Sequence, residues 1–201
     1  MFSVLFPGQG SQEVGMIKNL YNNFNYIKSL FEEADELLQI SLSKMILDGP
    51  KELLNQTENT QPAIFLVGYS IYSVMSKELK ADTNKYLYFA GHSLGEYTAL
   101  ASAEVLSFSD TLKILKVRGN AMQTAVPKGE GGMLAILGSD LTKIEKIIQE
   151  NKNKYECFIA NDNSEGQVVA SGKISDIDKF SLDLKSNNIK NIKLPVSAPF
   201  H

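Results

Sequence analysis

The 201-residue chain has no tryptophan, one cysteine and two histidines. A single thiol, Cys157, excludes an internal disulfide, and Cys157 with His92 and His201 falls short of the four ligands of a Cys/His zinc site. Positive charge is also short. Lys+Arg number 20 against 23 Asp+Glu, a net charge of -3, so no surplus exists to neutralise a phosphate backbone and no nucleic-acid partner is expected. The strongest apolar run near the N-terminus, Phe2 to Phe6, stops at Pro7-Gly8, too short for the core of a secretion signal and far too short to span a bilayer. These absences predict a reducing, cytoplasmic setting with no membrane partner. Arginine is scarcest of the charged types: 19 of the 20 basic residues are Lys, and the exception is Arg118. In a chain also rich in Asn and Ile this reads as an AT-rich coding bias, under which a retained Arg calls for a chemical reason.

What is present is an ordinary globular composition, 43% hydrophobic and 21% charged. Phe2 to Phe6 reads as a buried strand, followed by a glycine-rich loop from Pro7 to Gln12. From Phe24 to Leu38 the apolar residues keep helical spacing. Gln61-Pro62 predicts the opening of a second helix, Ala63 to Leu79, whose first half is apolar almost all round and so belongs in the interior. Lys85 to Ala90 is the next strand, then a small-residue helix near Glu96 to Ala103, then a helix capped by Ser109-Asp110. After Pro127 the glycines at 129, 131 and 132 predict a flexible joint and a subdomain boundary. Beyond it the order reads β-α-β-β-α-β: strand Met133 to Leu137, helix Leu141 to Gln149, strands Glu156 to Ala160 and Gln167 to Ser171 around a six-residue turn, helix Ser175 to Leu184 and strand Ile192 to Val196. Ser175 with Asp178 has the spacing of a capping box. That order matches a ferredoxin-like split βαβ unit.

Gly91-His92-Ser93-Leu94-Gly95 matches G-x-S-x-G between a predicted strand and a predicted helix, the context of a nucleophile elbow. The glycines let the backbone pass through a tight turn that strains Ser93, and the turn aims the N–H of Leu94 toward an oxyanion. A serine needs a base, and the chain has two imidazoles. His92 adjoins Ser93 and is expected to pack beneath the turn. His201 is then the candidate base by elimination, the alternative being a frayed C-terminal end. Arg118 can hold a ligand carboxylate bidentately, which Lys cannot reproduce; the alternative is a single surface ion pair. The loop at Gly8-Gln9-Gly10 lacks the third glycine of a dinucleotide fingerprint and has no Walker lysine, but a loop at a strand end can supply a second oxyanion donor.

With these residues assembled, the chain resembles the malonyl-CoA:acyl carrier protein transacylase family, related to the acyltransferase domains of polyketide synthases. The blocks that carry the resemblance, in order, are FPGQGSQ at 6–12, NxTxxxQPA from Asn55 to Ala63, GHSLGEY at 91–97, RGxxMQ at 118–123, GxMxAILG at 131–138 and VSAPFH at 196–201. The resemblance implies an α/β fold: an α/β-hydrolase-like subdomain over 1–126 that resumes at 196–201, with a ferredoxin-like small subdomain, 127–195, inserted. It implies ping-pong transfer in fatty-acid synthesis, with Ser93 as nucleophile, His201 as base, the N–H groups of Gln9 and Leu94 as oxyanion hole, and Arg118, Met122 and Phe200 binding substrate. Leu94 and Phe200 resemble the forms associated with malonyl rather than methylmalonyl selection. Malonyl-CoA is then a substrate, no cofactor is implied, acyl carrier protein is the partner and a monomer is expected. Family members continue well past the histidine, so the chain is expected to be a piece of the enzyme or to be completed by a second polypeptide. A serine hydrolase or thioesterase using the same elbow, and a non-catalytic fragment, are the competing readings.

Overall fold

The computed structural model describes residues 2–78, 86–127, 129–196 and 198–201. Leu79, Lys85 and Ser197, predicted in a helix, a strand and the terminal block, lie outside the described residues. The chain forms two compact units, 1–120 and 121–201.

In the first unit β1 (Phe2–Phe6) and β2 (Tyr86–Gly91) pair in parallel, with Val4 opposite Phe89, Leu5 opposite Ala90 and Phe6 opposite Gly91. Parallel strands need a long crossover. Here it is helical: α1 (Lys18–Asn23), α2 (Asn25–Leu38), α3 (Leu42–Asp48), α4 (Lys51–Leu54) and α5 (Thr57–Lys77). After β2 come α6 (Gly95–Ser102) and α7 (Phe108–Thr124), the latter crossing the boundary between the units. On α2 the buried residues are Ile27, Phe31 and Ala34, the stripe that the helical spacing predicts. The interior position expected of α5 is also seen: Ala63 to Val67 are all buried and pack with Phe31, Leu94, Leu112 and Leu115 in one apolar core.

Two helix starts differ from the sequence expectation. α5 begins at Thr57, so Pro62 lies inside it rather than opening it. The preceding turns are held by side chains instead: the Thr60 hydroxyl donates to Leu54 O at 2.6 Å and Asn59 Nδ2 donates to Leu53 O at 3.0 Å. Such bonds and burial outweigh the helix bond that proline forfeits. α7 is capped by Ser107, not by Ser109-Asp110: the Asp110 N–H donates to Ser107 Oγ at 3.0 Å and that hydroxyl donates back to Asp110 Oδ2 at 2.7 Å.

The second unit contains β3 (Gly131–Leu137), α8 (Leu141–Glu150), β4 (Cys157–Ser164), β5 (Gln167–Lys173), α9 (Ile174–Ser186) and β6 (Lys190–Lys193). The strands form one sheet in the order β4-β5-β3-β6, every neighbouring pair antiparallel. β3 is apolar throughout because both faces are covered. Leu134 and Ile136 pack with Ile144 of α8 and Ile177, Phe180 and Leu184 of α9; Met133 and Ala135 face the other way, against Ala198 and Phe200. Gly131 and Gly132, expected in a flexible joint, are buried residues of β3 where space is short: a Cβ would come 2.1 Å from Pro199 Cδ at Gly131 and 2.7 Å from Ile174 Cδ1 at Gly132. The predicted six-residue turn shrinks to Glu165-Gly166, with Gly166 at φ 81°, because β4 runs on to Ser164. The Ser175 capping box does not form: Lys173 is the N-cap with no side-chain bond, and the Asp178 carboxylate pairs with Lys193 of β6. The last strand is 190–193 rather than Ile192 to Val196.

Cys157 is buried in this second core, and burial, reinforced by the carboxylates of Asp176 and Glu156, pushes its thiol up to about 12. Native protein at pH 8 is therefore expected to react with iodoacetamide about a hundredfold or more slowly than urea-unfolded protein, because its thiolate fraction is on the order of one in ten thousand; equal rates would show that the thiol is not held in the core. Phe180 is fully buried with its ring 5.1 Å from that of Tyr155. Phe180→Ala is expected to lower stability by about 3–5 kcal/mol, read from urea unfolding of the second unit's signal.

Candidate active site

The site of the first unit is built where β1 and β2 end side by side. His92 N–H donates to Phe6 O at 3.1 Å, carrying the parallel pairing one residue past β2. The chain then reverses through Ser93, at φ 53°, and enters α6 at Gly95. A positive φ is strained for a serine and is the conformation that a strand-to-helix elbow requires. Both flanking glycines are sterically required. A Cβ on Gly91 would lie 1.9 Å from the Gly95 carbonyl carbon, and one on Gly95 would lie 2.4 Å from Phe6 O and 2.7 Å from Pro7 O. Backbone therefore packs on backbone, and no larger residue fits at either position.

The loop after β1 lies against the same elbow: a Cβ on Gly8 would come within 2.7 Å of His92 Nδ1 and 2.8 Å of His92 O. This contact corrects the expectation that His92 packs beneath the turn. Its side chain is exposed, because the space under the elbow is taken by the Gly95–Phe6 approach. The loop brings Gln9 toward the elbow and anchors it: Gln9 Nε2 donates to Thr57 Oγ1 at 3.3 Å, and Ser11 Oγ donates to Gly8 O at 2.9 Å. Leu94 is fully buried in the apolar core, which leaves its backbone as its polar contribution to the turn.

Arg118 reaches the elbow from α7. Its Nη2 donates to Ser93 Oγ at 3.1 Å and its Nη1 donates to Gln61 Oε1 at 2.6 Å, with the guanidinium carbon 5.6 Å from the Tyr97 ring centroid. Arg118 is half-buried and its charge is bonded to neutral acceptors. A guanidinium so placed favours negative charge on or beside the serine oxygen. Of the two readings left open for Arg118, an isolated surface ion pair does not describe this arrangement. Gly119 admits the close packing of α7 on α5, where a Cβ would meet Glu58 Cα at 2.7 Å.

The first unit thus brings together Gln9, Ser93, Leu94 and Arg118. The remaining three predicted residues belong to the second unit. Phe200 is buried with Met133, Ala135 and Val169, Met122 packs half-buried against the same cluster, and His201 is exposed at φ 58°. Thr57 and Gln61 have no role in the sequence reading, although they lie in the NxTxxxQPA block; the signal available was two polar residues one turn apart on an otherwise interior helix. Among the described residues no group of three or more His, Cys, Asp or Glu side chains could hold a metal ion, and no helix is long and apolar enough to cross a membrane.

Residues 4–201 match the family described as the acyl transferase domain. The chain is 42% identical, over 98% of its length and 62% of the relative's, to a malonyl CoA-acyl carrier protein transacylase of Bacillus subtilis. It superimposes with a TM-score of 0.93 and 42% identity on an acyl-carrier-protein-S-malonyltransferase of Bartonella henselae, covering 100% of this chain and 64% of that one. A malonyl-transacylase solved in complex with a type II PKS acyl-carrier protein is similar at a TM-score of 0.91 and 36% identity, over 98% of this chain and 63% of that one. The overall architecture is thus the mixed α/β fold of these structures, and the chain spans less than two thirds of the length of these relatives.

Proposed function

Because the chain belongs to the acyl transferase domain family, we propose that it transfers a malonyl group from malonyl-CoA to the phosphopantetheine thiol of acyl carrier protein, a step of fatty-acid synthesis, through a malonyl-serine at Ser93. The observation that carries this reading is the 3.1 Å contact between Arg118 Nη2 and Ser93 Oγ. A malonyl ester on Ser93 has its free carboxylate two carbons beyond the ester carbonyl, within reach of that guanidinium. An acetyl ester has nothing to offer it and leaves the half-buried guanidinium without a counter-charge. A hydrolase of neutral esters has no use for a cation beside its nucleophile.

In the first half-reaction Ser93 Oγ attacks the thioester carbonyl carbon and loses its proton to His201, forming the C–O bond. The N–H groups of Gln9 and Leu94 stabilise the tetrahedral oxyanion. Collapse breaks the C–S bond, and His201 returns the proton to the coenzyme A sulfur. In the second half the carrier thiol gives its proton to His201, its sulfur attacks the ester, and the proton passes to Ser93 Oγ as the C–O bond breaks. No electron or proton is gained overall. The roles of His201, and of Met122 and Phe200 in binding the acyl group, rest on the sequence blocks; the strain at Ser93 and the anchoring of the Gln9 loop support those of the first unit.

The β-α-β-β-α-β order and the sheet order β4-β5-β3-β6 support a ferredoxin-like reading of residues 127–195. We assign 1–126 with 196–201 to an α/β-hydrolase-like subdomain on the sequence blocks. The same reading takes malonyl-CoA as substrate rather than resident cofactor, and the protein as a cytoplasmic monomer.

Brief incubation with malonyl-CoA is expected to add one malonyl group by intact mass, mapped to Ser93, with little adduct from acetyl-CoA; Ser93→Ala should abolish it, and an adduct that persists would mean that another residue is the nucleophile. Arg118→Ala is expected to slow malonylation about a hundredfold while leaving acetylation nearly unchanged, inverting the donor preference. Equal loss with both donors would sink the carboxylate clamp.

A further inference from the structure

Burying neutral polar side chains has a cost that only a partner offsets, and the first turns of α5 bury several. Thr57 is 4% exposed and Gln61 1%. They stand one helical turn apart, about 6 Å along the axis, and their oxygens accept from two different parts of the site. Thr57 Oγ1 accepts from the side chain of Gln9, and Gln61 Oε1 accepts from Arg118. Flanking residues repeat the division. Asn55 Oδ1 accepts from Gln12 Nε2 at 2.9 Å, on the same loop as Gln9, and Asn59 Oδ1 accepts from Lys116 Nζ at 3.1 Å, on the same helix as Arg118. From 55 to 61, every second residue is an acceptor, the first two serving the loop after β1 and the last two serving α7.

We infer that Thr57 and Gln61 are positioning residues: one turn of α5 sets both the loop that presents the Gln9 N–H and the guanidinium of Arg118. The spacing between oxyanion donor and carboxylate clamp then follows from a rigid helix rather than from two independent segments. Gln61 occupies Nη1 of the guanidinium and so orients Nη2 toward Ser93. Thr57 holds the Gln9 side chain and with it the backbone that carries the N–H. The roles of Gln9 and Arg118 rest on the function proposed above; the positioning itself does not.

That independence can be read directly, because Arg118 is the only arginine in the chain. Labelling arginine with nitrogen-15 gives one set of guanidinium NMR signals, whether or not the protein turns over. Wild type is expected to show separate Nη signals, slowed in rotation by the bonds to Gln61 and Ser93. Gln61→Leu should average them, and Gln61→Glu, which keeps an acceptor, should restore the separation. In acylation of Ser93 followed by mass, Gln61→Leu should raise the half-saturating malonyl-CoA concentration about tenfold and leave that of acetyl-CoA unchanged. Thr57→Val should instead lower the maximal rate with both donors about tenfold at unchanged half-saturation, with Thr57→Ser restoring it. A general loss of structure would move both parameters in both variants and would not be rescued. Unchanged guanidinium signals in Gln61→Leu, or a fully active Thr57→Val, would overturn the inference. Wild-type protein that takes no acyl group at Ser93 would overturn the proposed function, while the guanidinium signals would still decide the role of Gln61.

Discussion

Two glycines with no room for a methyl group hold the first unit's site together. At Gly95 the start of α6 lies against the carbonyls of Phe6 and Pro7, and at Gly91 the end of β2 lies against the Gly95 carbonyl carbon. These approaches force the reversal at Ser93 into a positive φ and press the ends of β1 and β2 against one helix start. The exposed His92, the loop through Gln9 and the buried Leu94 all follow from that contact. Strain at the serine persists because strand pairing on one side and the helix on the other over-determine it.

α5 carries a second division of labour. Its apolar residues from Ala63 onward hold the core, while the turns before them bury Thr57, Asn59, Thr60 and Gln61. Such a buried polar stretch is a liability unless its polar atoms find partners: the loop after β1 donates to Thr57, α7 donates to Asn59 and Gln61, and the Thr60 hydroxyl donates to Leu54 O. Satisfying the helix's own polar residues and orienting the site's residues are therefore one arrangement. Gly119 makes it possible by letting α7 come close enough for Arg118 to reach Gln61.

The second unit solves a different packing problem. Its sheet is apolar on both faces, one covered by α8 and α9 and the other by the segment that holds Ala198 and Phe200. The order β4-β5-β3-β6 puts β3, buried on both faces, in the interior of the sheet and leaves the more polar β4 and β6 at its edges.

Much of this was legible from residues alone, and the legible part is local. The elbow around Ser93 was visible because its two glycines and the strand-to-helix change lie within one short stretch, although the contact that Gly95 makes room for is with Phe6 and Pro7, far away in the chain; Arg118 stood out because the composition left it isolated. The βαββαβ order followed from periodicity, which burial on a sheet or helix face imposes directly. Misplaced features fail in a common way. Ser175 and Asp178 have capping spacing, but Asp178 is taken by Lys193 on β6; Pro62 marks a helix start by propensity, but α5 begins five residues earlier through buried side-chain bonds. Thr57 and Gln61 carry no local signal of what they hold, because their partners, Gln9 and Arg118, are 48 and 57 positions away. The sequence by itself determined the glycines of the elbow, the buried stripes of α2 and α5 and the isolation of its one arginine, since these show in spacing and composition. Only the tertiary structure decided which buried oxygen meets which donor, because such a bond exists only once packing has brought distant residues within about 3 Å of each other.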